Sequence, residues 1–136
     1  MSRRLLSMMV AFILMISVTG CGVSLNKTEK VTDLEYTVLK KQEIPQELMA
    51  QIEQQKESCF KLTYQDGEYL YIARGYGTQK TGGYSVQVEE LYLTSNAIYF
   101  KTGLFGPRKG ENVKSAKTYP YIVIKLEDRG ESVVFE

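Results

Sequence analysis

A change of hydrophobic period near Cys59 constrains this chain most. Before it, Leu48, Met49 and Ile52 lie at i, i+1 and i+4, one stripe of a short amphipathic helix. After it, apolar residues alternate. Phe60 and Leu62 alternate with Lys61 and Thr63, and Tyr84, Val86 and Val88 with Ser85, Gln87 and Glu89. Ile122, Ile124 and Leu126 share one face of Tyr119–Leu126. Turn signals at Asp66-Gly67, Ser95-Asn96 and Arg129-Gly130 divide these runs. Tyr69–Arg74 is apolar on both faces, which predicts a central strand. The parity slips between Val88 and Leu91, which predicts a bulge near Glu89–Glu90. With Glu35–Lys41, Ala97–Thr102 and Ser132–Phe135, the strands recur at roughly ten-residue spacing. The expected fold class is mainly β (α+β): an antiparallel sheet, sandwich or partly open barrel of roughly six or seven short strands with one packed N-terminal helix.

The helix is expected within 44–58, with Pro45 at its first position, Glu47 in its first turn and Lys56 near its end. Its stripe reads as core packing. Pro120, at the start of a strand, fits an edge or a first position.

The N-terminus reads as an address. Arg3 and Arg4 precede an apolar run, Leu5–Val18, shorter than the roughly 20 residues that span a bilayer and matching a signal-peptide core. The run ends in Val18-Thr19-Gly20-Cys21, which resembles a bacterial lipobox. That resemblance implies a diacylglycerol thioether on Cys21 and cleavage before it. The expected organisation is a lipoprotein signal peptide over 1–20, a lipidated cysteine and flexible tether over 21–33, and a β-rich domain over 34–136. The expected location is extracytoplasmic, anchored by lipid to the bacterial cell membrane. Two acyl chains hold a protein stably where one does not.

Composition then narrows the chemistry. The chain contains no histidine, which excludes histidine general acid–base catalysis and histidine-ligated metals. No metal-ligand spacing and no cofactor motif is visible, so neither group is expected, and neither is catalysis. Seventeen basic and sixteen acidic residues, interspersed, leave no nucleic-acid footprint. With Cys21 acylated, Cys59 is expected to be a buried structural thiol.

One stretch stands apart. Arg74–Tyr84, RGYGTQKTGGY, holds four glycines in eleven residues, more than one regular strand tolerates. Its glycines are expected to permit positive φ and close backbone approach. The Gly-Lys-Ser/Thr order and the helix of a phosphate loop are missing. GYGTQKTGGYSVQV, then GPRKGE at 106–111, then TYPYIVIKL at 118–126 resemble the PrcB family, in its C-terminal domain. The likeness runs from about Ile44 to Phe135. It implies a small accessory domain of a bacterial surface protease complex, without catalytic residues of its own. Thr81-Gly82-Gly83-Tyr84 also resembles one loop of chagasin-type protease inhibitors.

The expected function is a membrane-anchored, extracytoplasmic protein-binding domain that supports a secreted or surface protease. Two loops, 75–84 and 104–118, would meet the partner. The candidate contacts are Tyr76, Lys80, Thr81, Gly82, Gly83, Tyr84, Phe105 and Tyr119, with the aromatic rings as anchors. The alternatives are an inhibitor whose TGGY loop enters a protease cleft, and a structural envelope lipoprotein with no protease link.

Overall fold

The computed structural model describes residues 29–136. The expected signal peptide, the lipid attachment at Cys21 and most of the tether lie outside these residues. Eight strands are present: β1 (Thr32–Asp33), β2 (Thr37–Val38), β3 (Cys59–Asp66), β4 (Tyr69–Tyr76), β5 (Ser85–Leu93), β6 (Ala97–Phe105), β7 (Tyr121–Glu127) and β8 (Ser132–Phe135). One α-helix, α1 (Gln46–Gln55), follows a 3-10 turn at Lys41–Glu43. The strands form two four-stranded sheets, ordered β1-β5-β6-β8 and β2-β7-β4-β3. Every pairing is antiparallel except β6 with β8. The result is a mainly β sandwich with one packed helix.

Alternation explains the layers. Leu70 and Ile72 of β4, with Ile122, Ile124 and Leu126 of β7, meet Leu91, Ile98 and Phe100 of the opposite sheet in one buried cluster. The other face of β4 and β7, through Tyr71, Ala73 and Val123, packs under Ile44, Leu48 and Ile52 of the helical segment. β4 is therefore buried on both faces, as its unbroken apolar run predicts. Each fully buried aliphatic or aromatic side chain contributes about 1.5–3 kcal/mol, so these two clusters hold the sandwich and seat the helix. The register of β5 on β6 shifts between Val88 and Glu90. This is the predicted bulge, and it lets Val86 and Leu91 point into the same core. The β3–β4 hairpin pairs Asp66 with Tyr69 around Gly67-Glu68.

Four expectations change. The first strand shrinks from Glu35–Lys41 to Thr37–Val38, because Lys40 leaves the ladder and its N–H donates to Glu43 Oε1 at 2.8 Å to start the 3-10 turn. Pro45 sits just before α1 and caps it, and its carbonyl accepts from Met49 N–H at 2.9 Å. Paired chain begins before residue 34: Thr32 and Asp33 face Leu93 and Tyr92, and Val31 N–H donates to the Leu93 carbonyl at 2.7 Å. Cys59 is exposed, not buried. It opens β3, an edge strand, and its neighbour Phe60 takes the side covered by the helix. No helix among the described residues is long and apolar enough to cross a membrane.

Candidate functional site

At one end of the sandwich, the segment joining β4 to β5 (77–84) meets the segment joining β6 to β7 (106–120). They are fastened together. Gln79 and Thr118 exchange backbone hydrogen bonds at 2.9 and 3.0 Å, and Gly82 N–H donates to the Lys114 carbonyl at 2.9 Å. The Thr118 hydroxyl donates to the Thr81 carbonyl at 2.7 Å. The first segment is also tied to the turn after α1, since both N–H and hydroxyl of Thr78 donate to the Glu57 carbonyl. Two loops that look independent in sequence thus form one braced surface.

The four glycines divide by role, and Gly77, at φ +78°, lies against the backbone of Glu57–Cys59. Gly75 lies inside β4, where the Phe60 ring occupies the space a Cβ would take. Gly83 has φ +87°, and a Cβ there would stand 2.7 Å from Val113 Cγ1 and 3.0 Å from Pro107 Cβ. Gly82 has no positive φ, and a Cβ would meet nothing nearer than 3.8 Å. Only Gly83 of the TGGY pair therefore answers the conformational demand read from the sequence.

The aromatic candidates sit unequally. Tyr76 is half-buried, its hydroxyl 2.6 Å from Thr102 Oγ1 and its ring 4.5 Å from the Arg74 guanidinium, so it faces the interior of this end. Tyr84 is half-buried with its ring beside Gly106. Tyr119 is half-buried under Lys56, whose Nζ lies 4.9 Å from the ring. Lys56 in turn pairs with Glu53 at 2.8 Å. That hydrogen bond raises the lysine pKa and lowers the carboxylate pKa. Phe105, at 43% exposure, is the most available ring. Lys80 is exposed, while Thr81 and Gly82 are half-buried at the seam. The loops thus gather all eight candidates at one end, with polar groups outward and three of four rings partly enclosed.

Sequence reasoning passed over the groove beside this end. Val38, Leu39, Ile44, Tyr84, Val86 and Ile122 help to line a cleft of about 360 Å³ between the starts of β5 and β7. Its signal was dispersed across five segments of chain. Among the described residues, no group of three or more His, Cys, Asp or Glu could hold a metal ion.

The fold and this end define a small β-sandwich domain that offers a braced loop surface. The family comparison makes that class particular: residues 70–127 match the family model described as PrcB C-terminal, so this stretch is similar to that domain. The match runs from β4 to β7 and contains both loops; it is shorter than the likeness read from the sequence. No curated protein and no solved structure matches the chain.

Proposed function

We propose that this protein is an accessory subunit of a protease complex, held at the outer side of the bacterial cell membrane by lipid on Cys21, and that it binds its partner through the loop pair. A PrcB C-terminal domain suggests association with a protease complex. The observation that carries the binding reading is the bracing of 77–84 on 106–120 by backbone pairs and the Thr118–Thr81 bond. A surface ordered before contact loses less conformational freedom on binding. The same bracing weighs against a TGGY loop that projects alone into a protease cleft.

A photo-crosslinking residue placed at Lys80 or Phe105 tests the reading in cells producing the full chain. The expected product joins this chain to a component of a protease complex. Crosslinks to no polypeptide would refute partner binding here. Loss of protease activity in purified mixtures, proportional to added protein, would replace the accessory reading with the inhibitor. A deletion that alters envelope integrity without touching any protease would favour the structural lipoprotein.

A further inference from the structure

Lysines and glutamates are interspersed along the sequence, yet the fold sorts them. The loop pair 77–84 and 106–120 carries five basic residues, Lys80, Arg108, Lys109, Lys114 and Lys117, against one acid, Glu111. The other described residues hold nine basic and fifteen acidic side chains. All five cations are exposed. Among the described residues, none of the five has a carboxylate within ion-pair distance or stands over an aromatic ring. Glu111 is itself engaged, accepting from Arg108 N–H at 2.8 Å. Such a cluster repels itself, and an anionic surface relieves that repulsion.

Position adds direction. Chain arriving from residue 28 enters beside Leu93, the C-terminal end of β5, where Thr32 pairs. The loop pair joins β5 at Ser85, its other end. Eight residue steps at about 3.3 Å each place the two roughly 25 Å apart. The end where the chain enters is bordered by Asp33, Asp66, Glu68, Glu127 and Asp128, with Lys30 and Arg129 beside them, paired to Asp33 and Glu127. The domain is therefore polarised, with its positive tip far from the point where the N-terminal segment attaches.

We propose that this tip is an electrostatic docking site for an acidic surface on a partner protein standing away from the membrane. The proposal rests on the accessory-subunit reading above and names the chemistry of that partner. An exposed cation cluster steers and orients an acidic partner and raises its rate of capture by about tenfold or more at low salt.

Zero-length carbodiimide coupling tests this on membranes bearing the full chain, because it joins a lysine amine only to a carboxylate already in contact. Expected are links from Lys80, Lys109, Lys114 or Lys117 to an Asp or Glu of a second polypeptide. Neutralising all five cations together (Lys80→Gln, Arg108→Gln, Lys109→Gln, Lys114→Gln, Lys117→Gln) should abolish those links and cut recovery of that polypeptide about tenfold at low salt, with cooperative melting kept. Links confined to Lys61, Lys101 or Lys125, or unchanged recovery by the neutralised chain, would overturn the proposal while leaving an accessory subunit standing. Links from the tip to a polypeptide outside any protease complex would uphold it and remove the protease reading. If no polypeptide is linked and the tip instead sediments the chain with phosphatidylglycerol vesicles, the occupant is anionic lipid and the proposal fails.

Discussion

The hydroxyl of Thr118 donates to the carbonyl of Thr81 at 2.7 Å, across 37 residues of sequence. Both residues are half-buried, so the carbonyl has no easy substitute if the donor is removed. Thr118→Val should destabilise the domain by about 0.5–1.5 kcal/mol. It should also speed amide exchange at Gln79 and Gly82, whose N–H groups cross the same seam. Unchanged exchange at both amides would show that the backbone pairs brace the loops without the hydroxyl.

Gly82 and Gly83 should respond in opposite ways. Gly83→Ala forces a side chain into a positive-φ site already contacted by Val113 and Pro107, at about 1–3 kcal/mol for the backbone alone. Gly82→Ala adopts an ordinary conformation with open space and should be neutral or stabilise by about 0.4–1 kcal/mol. Thermal melting of the two variants decides the matter, and equal losses would contradict the geometry.

Truncation should locate the start of the folded chain. A protein beginning at Glu29 keeps the Val31–Leu93 and Leu34–Leu91 hydrogen bonds, whereas one beginning at Leu34 loses β1 and bares the β5 edge. Each lost backbone bond contributes about 0.5–1.5 kcal/mol, so the shorter protein should melt lower in denaturant titrations. Coincident curves would make β1 a passive ribbon.

Tyr64 offers a titration. Its hydroxyl donates to the Glu47 carboxylate on α1, and that bond, with burial adding to it, pushes the phenol pKa up to about 12 from an ordinary 10.0. The folded state holds the proton more tightly than the unfolded chain. The stabilisation is therefore complete below about pH 10 and lost as pH climbs towards 12. Ring-carbon NMR should show Tyr64 ionising late, and Glu47→Gln should bring it back towards 10. A Tyr64 titration indifferent to Glu47→Gln would contradict the bond.

Cys21 decides the anchor. Cys21→Ser should leave a longer precursor that takes up no labelled fatty acid. Equal labelling of variant and parent would remove lipid from the proposal.

What the sequence showed depended on whether a feature had a period. The bulge at Glu89, the central place of β4 and the turn at Asp66-Gly67 were legible because alternation and turn chemistry are local. β1, of two residues, carries no period and was invisible, and β2, also of two residues, was legible only as part of the longer run Glu35–Lys41. Cys59 was misplaced because the usual burial of a free thiol was followed over its parity, which sets it on the polar face with Lys61 and Thr63. Gly82 and Gly83 are the same letter, and only the backbone separates them. The cationic tip escaped because Lys80 and Lys117 are distant in sequence and become neighbours only when Gln79 pairs with Thr118.

The edges of the two sheets also govern when the domain can finish folding. One sheet needs β1 and β8, the other β2 and β7, and Thr37 pairs with Lys125, 88 positions later. The β3–β4 and β5–β6 hairpins can form as soon as their residues emerge. Neither sheet closes until the C-terminal strands arrive, and contacts so distant in sequence close slowly. A chain delivered N-terminus first, from a ribosome or through a narrow export channel, therefore stays threadable until its last segments are free, and only then locks.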